Sequence, residues 1–196
     1  MVAVHLRDIS KEVTSAWELA FAGLSQVKVT CGDILDHTAD AIVSPANSFG
    51  YMDAGVDAAL SGYFGARVED SLRALISEQH YGELPVGQAV IVPTGDAKIP
   101  FLVSAPTMRV PGDISETVNV YLAFRATLIA VLAHNREGGN PIRTTLVPGM
   151  GTGIGQVPAE RAARQMRFAY DSVVGRSSTD GCDARRILRQ HWELLA

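Results

Sequence analysis

Asn47 and Asp57 stand ten positions apart within the stretch Ala-Ile-Val-Ser-Pro-Ala-Asn-Ser-Phe-Gly-Tyr-Met-Asp-Ala-Gly-Val-Asp-Ala-Ala-Leu, residues 41–60. A side-chain amide both donates and accepts hydrogen bonds, and a carboxylate can take a proton. Neither residue is needed to build the turn between them. Two readings are open at this point. In the first, Asn47 caps a turn and Asp57 occupies the first turn of a helix, where an acid is favoured in any case. In the second, both face a ligand held by the loop.

The elements around them favour a ligand. Ala41 to Val43 is a short apolar run that reads as a buried strand. Pro45 breaks it, a loop with Gly50 and Gly55 follows, and Val56-Asp57-Ala58-Ala59-Leu60 opens a helix. A strand that feeds a glycine-bearing loop and a helix N-terminus builds an anion site, because the first-turn amides are unpaired and the helix dipole attracts negative charge. The design recurs in Ile-Arg-Thr-Thr-Leu-Val-Pro-Gly-Met-Gly-Thr-Gly-Ile-Gly-Gln-Val-Pro, residues 142–158. Here four glycines fall within seven residues, at Gly149, Gly151, Gly153 and Gly155. They are expected to let the backbone approach a ligand closely, and Pro158 suits the first position of the next helix. Two such loops in one α/β domain suggest a clamp on a diphosphate.

Gly32-Asp33-Ile34, then Ala41-Ile42-Val43 with Asn47, then Gly55-Val56-Asp57, then Gly151-Thr152-Gly153-Ile154 resemble the motifs of the macrodomain family, in the family's order, over roughly residues 27–174. The resemblance implies a three-layer α/β/α sandwich around a mixed sheet, with ADP-ribose as ligand. It implies that Asp33 accepts from the adenine amino group while the amide of Ile34 meets the ring. Gly55 and Val56 would form one side of the clamp, and Gly149, Gly151, Thr152, Gly153, Ile154 and Gly155 the other. In the hydrolytic branch similar to MacroD proteins, an Asn and an Asp at this spacing serve the reacting ribose, which gives Asn47 and Asp57 the catalytic roles. The chain also departs from that branch. Its first loop has fewer glycines, Asp53 puts a negative charge near the expected diphosphate, and Gly155 stands where an aromatic residue packs on the distal ribose. Tyr51 or Phe49 is the candidate replacement for that ring.

Length and composition set bounds. A chain of 196 residues fits one domain with a large core. A 47% hydrophobic, 19% charged composition is ordinary for a globular protein with a buried sheet. A net charge of −4 argues against a general binder of nucleic acid or membrane surfaces, and it leaves loop and helix-end amides to supply the field for an anion. Cys31 and Cys182 form no disulfide framework, and the five scattered histidines speak against a zinc site. No metal and no cofactor are expected. With no signal peptide or long apolar span, the cytoplasm is the expected compartment.

Residues 2–6 read as a strand with Arg7-Asp8-Ile9 as its exit, and Ser10 as the N-cap of a helix over about 11–22. Further strands are expected at 27–30, 88–93, 99–105 and 144–147. Helices are expected at 66–79, from Ser115 to about His134 with Val118, Leu122, Leu128, Ile129 and Leu132 facing the core, at 159–174, and at 185–195. Residues 175–184 are polar and turn-like, where the family places one more strand. The N-terminal strand is therefore expected to fill that sheet position, in effect a circular permutation, with Asp8 and Ile9 beside the adenine or its ribose. Residues 106–113 form a loop after a strand end: either a plain connector or a rim for the distal ribose with Arg109 as its charged contact.

Three functions are consistent with these residues. The first is an enzyme that hydrolyses mono-ADP-ribosyl linkages, as an ADP-ribosyl hydrolase or an O-acyl-ADP-ribose deacylase, acting on a protein, nucleic acid or small molecule. The second is a reader that binds ADP-ribose without cleaving it. The third is an unrelated phosphate-binding α/β enzyme, although the Walker arrangement of glycines followed by Lys and Ser/Thr is missing.

Overall fold

The computed structural model describes residues 2–175 and 183–196. Most of the turn-like stretch expected at 175–184 lies outside the described residues. Six strands, β1 (Ala3–Asp8), β2 (Val27–Cys31), β3 (Ala41–Ser44), β4 (Val90–Pro93), β5 (Phe101–Ser104) and β6 (Thr144–Val147), form one mixed sheet in the order β2-β1-β6-β3-β5-β4. Only the edge pair β4–β5 is antiparallel. The helices are α1 (Lys11–Ala20), α2 (Gly55–Phe64), α3 (Ala66–His80), α4 (Asn119–Glu137), α5 (Ala159–Val173) and α6 (Ala184–Leu195).

Strand alternation divides the core into the two halves of a three-layer sandwich. Val4, Leu6, Val43, Val103 and Val147 point to one face and pack with Trp17 of α1, Phe124 of α4 and Met166 of α5. Ile42, Leu102 and Leu146 point to the other face and meet Leu60 of α2 and Val68, Leu72 and Ile76 of α3. The expected architecture is therefore present. β1 lies inside the sheet, paired in parallel with β2 on one side and β6 on the other. Ser10 caps α1 as expected, its Oγ accepting from the Val13 amide at 3.3 Å.

Several boundaries differ from the sequence reading, each for a local reason. β1 continues through Arg7 and Asp8, because both remain in register with Thr30 and Cys31. β4 starts at Val90, since the Gln88 amide is spent on a turn to the Pro85 carbonyl. β5 starts at Phe101, because Asp96 Oδ1 draws the amides of Lys98 and Ile99 into a turn. Ser115 is not the cap of α4. The helix begins at Asn119 after Val118, and the segment before it makes a turn in which the Thr117 amide donates to Ile114. Ile129, read as core, is 41% exposed on the outer side of α4. α6 docks on α5 through buried Leu194, whose carbonyl accepts from Gln165 Nε2 at 3.0 Å.

Candidate active site

The carboxyl ends of the five parallel strands face one way, and the loops that leave them enclose a cleft of about 740 Å³. This is where open α/β sheets place ligands, at the point where successive connections turn to opposite faces. Here β3 leads to α2 on one face, while β6 leads to α5 on the other. The cleft is lined by Arg7 and Asp8 at the end of β1 and Ile9 after it, Asp33 and Ile34 after β2, Asn47, Tyr51 and the run Asp53 to Asp57 after β3, Met108 after β5, and Gly149 with the run Gly151 to Pro158 after β6.

The first loop is held by side chains. Asn47 Oδ1 accepts from the amides of Phe49 at 3.0 Å and Tyr51 at 3.4 Å, and its Nδ2 donates to the Tyr51 carbonyl at 2.8 Å. The turn-capping reading of Asn47 thus describes most of its hydrogen bonds. An amide nitrogen carries two hydrogens, so one donor on Asn47, itself lining the cleft, is left for a ligand. Asp57 lies in the first turn of α2, is 8% exposed, and accepts at Oδ1 from Ser44 Oγ at 2.6 Å. Burial pushes its carboxyl up to about 7; the Ser44 hydrogen bond opposes that rise and the charge of Asp53 adds to it. No side chain caps α2, so the amides at Gly55 and Val56 remain open to an anion.

The second loop is held by its backbone. The Val157 amide donates to Gly151 and the Gln156 amide to Gly153, both at 3.0 Å, and the Ile114 amide reaches the Gly155 carbonyl. The glycines are therefore needed mainly by the protein itself. A Cβ at Gly151 would meet Val120 at 2.8 Å, and one at Gly155 would meet the Gly151 carbonyl oxygen at 2.6 Å and Ile114 at 2.7 Å. An aromatic ring cannot occupy position 155 in this loop. Of the four, only Gly153 faces open space. Among the described residues the amides of Thr152 to Gly155 find no protein acceptor, which leaves a run of donors toward the cleft.

Asp8, the last residue of β1, holds the second loop. Its Oδ1 accepts from the Ser10 amide at 2.8 Å and its Oδ2 from the Gly149 amide at 2.9 Å. It therefore tethers the second loop to β1, and the Gly149 amide is spent on it. Ile9 is 77% exposed at the cleft edge. Asp33 caps a short 3-10 turn, Ile34–Asp36, by accepting from the Leu35 amide at 2.9 Å. Tyr51 is half exposed on the rim beneath Arg73, whose guanidinium carbon lies 4.4 Å from the ring centre. Of the two readings of residues 106–113, the rim reading made Arg109 a charged contact for the distal ribose. In the structure Arg109 makes a bidentate pair with Glu83 at 2.8 and 3.0 Å, covers the Phe49 ring, and is not among the cleft's lining residues.

Two residues of the site were not singled out in the sequence. Arg7 is the one cation lining the cleft among the described residues; it donates to the Asp33 carbonyl at 2.7 Å and to Thr30 Oγ1 at 2.8 Å. Its guanidinium lies so close to Gly32 that a Cβ there would fall 2.4 Å from it. Ser44 ends β3 and reaches Asp57. The signal for Ser44 was present: alternation from Ile42 puts it on the α2 face.

Comparison with known proteins agrees with this architecture. The family model "Macro domain" matches residues 43–166. An uncharacterised protein of Aquifex aeolicus is 38% identical over 71% of this chain and 78% of its own length. A protein of Salmonella gallinarum named O-acetyl-ADP-ribose deacetylase is 31% identical over 71% of this chain and 74% of its own. The structure of an Oceanobacillus iheyensis macrodomain mutant with ADPR superimposes with a TM-score of 0.57 at 20% identity, covering 70% of this chain and 73% of that one. The chain belongs to the macrodomain family.

Proposed function

We propose that the protein binds ADP-ribose in this cleft and hydrolyses mono-ADP-ribosyl linkages, as an ADP-ribosyl hydrolase or an O-acyl-ADP-ribose deacylase. The observation that carries the catalytic part is Asp57: a carboxyl in the wall of the cleft, with burial bringing its proton affinity close to neutral pH. A group so tuned exchanges protons with water most effectively at physiological pH. The free amides at the start of α2 and at Thr152 to Gly155 would hold the diphosphate from two sides. Asp33, Ile34 and Ile9 would surround the adenine, with Arg7 beside them. The remaining Asn47 donor would hold a hydroxyl of the distal ribose. Asp57 would then orient a water and take its proton as the water oxygen bonds to the reacting ester carbon. The bond from that carbon to the leaving oxygen breaks, and the products share the water's protons, one of them returned from Asp57 to the leaving oxygen or to solvent. Fixing the diphosphate positions the reacting carbon against that water, a large part of the rate gain in such a site. The Salmonella relative's name supports the deacylase form of this reading. The same reading takes β1 as the permuted counterpart of the family's last strand and the cytoplasm as the setting.

The second reading is a reader that binds without turnover. It is favoured by Gly155, which leaves the distal ribose without a covering side chain, and by the Asn47 amide being largely spent on its own loop. Incubation with a glutamate-linked ADP-ribosylated protein and with O-acyl-ADP-ribose decides between them. Released ADP-ribose supports the enzyme; tight ADP-ribose binding without release supports the reader.

A further inference from the structure

Ser44 is the last residue of β3 and is fully buried. Its Oγ donates to Asp57 Oδ1 at 2.6 Å, the only hydrogen bond made by that carboxyl among the described residues. A hydroxyl that gives its hydrogen to a carboxylate still has lone pairs to be satisfied, and in a buried site an unpaired acceptor is costly. The neighbouring strand supplies a partner. Ser104 on β5 stands at the same register as Ser44, and alternation puts both side chains on the α2 face of the sheet. Ser104 is also fully buried, and its Oγ has no hydrogen-bond partner among the described residues. Adjacent strands run about 4.8 Å apart, so the register sets the Ser104 side chain directly beside that of Ser44.

We propose that Ser44 is the positioning residue that fixes the Asp57 carboxylate in its ionised, cleft-facing form, with Ser104 behind it as the second hydroxyl of a buried relay. The surroundings leave this task to the serines. The charged neighbour of Asp57 is Asp53, on its own loop, and it works against ionisation. β3 carries no charged residue, α2 carries none besides Asp57, and α3 turns Val68, Leu72 and Ile76 toward this core. The facing loop, residues 148–158, has no charged side chain either. The donor from Ser44 is thus the interaction that favours the carboxylate against its own burial. The inference rests on the catalytic reading of Asp57 for its consequence, but not for its test.

The test follows the Asp57 carboxyl carbon by NMR titration of the full chain labelled with 13C-aspartate, in the parent, Ser44→Ala, Ser104→Ala and the double variant. Ser44→Ala should raise the Asp57 midpoint by about one pH unit, the worth of a charge-assisted hydrogen bond. Ser104→Ala should raise it by less, and it should add nothing in the Ser44→Ala background. On an ADP-ribosyl ester, the acidic limb of kcat should move upward by the same amount with KM little changed. An unmoved midpoint in Ser44→Ala overturns the proposal, and additive effects of the two serines overturn the relay. A parent that releases no ADP-ribose removes the functional reading, while the titration still decides the role of the serines.

Discussion

The two loops that face each other across the cleft reach similar positions by different means. The first, between β3 and α2, is shaped by polar side chains: Asn47 binds three backbone groups and Ser44 holds Asp57. The second, between β6 and α5, is shaped by the absence of side chains, with Gly151 and Gly155 admitting Val120, Ile114 and the loop's own carbonyl. The first loop therefore carries the groups able to exchange protons. The second offers backbone amides and the neutral side chains of Thr152 and Gln156, none of which titrates near neutral pH. Titratable groups lie on the first loop alone, while both loops leave amides open to an anion, so substitutions in each should fail in different ways.

The largest effect is expected at Asp57. Asp57→Ala should lower turnover of an ADP-ribosyl ester by about 10²-fold or more. ADP-ribose affinity should stay level or improve, because a carboxylate near the diphosphate is removed. Equal losses in turnover and affinity would place Asp57 with the anchoring groups and erase the division between the loops.

The same side chain should reveal its cost in stability. The native carboxyl titrates near 7 rather than in the usual acid range, so between these values the folded protein holds a proton that the unfolded chain has released. Stability is then lost as pH rises through that interval, and the loss is complete above about 7. Asp57→Asn removes the titration. The variant should match the parent near pH 4 and exceed it at pH 8 by an amount on the order of a few kcal/mol. Melting curves across this range measure it, and a pH-independent difference would show that ionisation of Asp57 is not opposed by the fold.

In the second loop the expected failure is one of shape. Gly155→Ala puts a Cβ against a carbonyl oxygen and Ile114, and backbone cannot yield cheaply. It should destabilise the fold by about 1–3 kcal/mol and weaken ADP-ribose binding, with turnover at saturating substrate much less affected. Gly153→Ala is the control, since nothing lies within 4 Å of the added carbon. If both variants behave alike, crowding is not what keeps position 155 a glycine.

At the adenine end, Asp33→Ala should weaken ADP-ribose binding by about 1–3 kcal/mol through loss of a charge-assisted hydrogen bond. Asp33 also caps the Ile34–Asp36 turn, so a smaller drop in melting temperature should accompany it. Calorimetric titration with ADP-ribose checks the first effect. Unchanged affinity with lowered stability would reduce Asp33 to its cap.

The sheet, both halves of the core and the order of the loops were legible because each depends on local pattern: apolar runs, helical spacing, and glycines after strand ends. The pair Asn47 and Asp57 stood out for the same reason. The purpose of the glycines was less legible. Gly151 and Gly155 read as openings for a ligand, but they are filled partly by the loop's own atoms and partly by Val120 and Ile114, over thirty residues away in the chain. Asp8 was expected beside the adenine or its ribose; it lines the cleft, but that its carboxylate ties Gly149 to β1 across 141 positions was not legible. Ser44 shares the face of Ile42 by alternation, but its partnership with Asp57 depends on α2 covering that face, a tertiary fact. What sequence pattern conveys is where chain directions change; what it omits is which distant group claims each donor.

The smallest effect is expected at Arg109, and it tests how far the first loop's chemistry extends. In sequence Arg109 was a candidate contact for the distal ribose. In the structure its guanidinium is committed to Glu83 and to the face of Phe49, so it props the outer side of the first loop. An exposed pair of this kind contributes little to stability, because both partners are well solvated when apart. Arg109→Ala should leave the melting temperature, the ADP-ribose affinity and kcat close to those of the parent. Glu83→Ala should do the same, since it frees Arg109 without removing it. The two variants differ only if Arg109 meets the ligand. In that event Arg109→Ala would raise KM for an ADP-ribosylated protein, whereas Glu83→Ala would lower it by releasing the guanidinium toward the cleft. A matched, near-zero response from both removes Arg109 from the ligand's contacts and leaves it as a prop for the first loop, while Met108 keeps its place in the cleft wall.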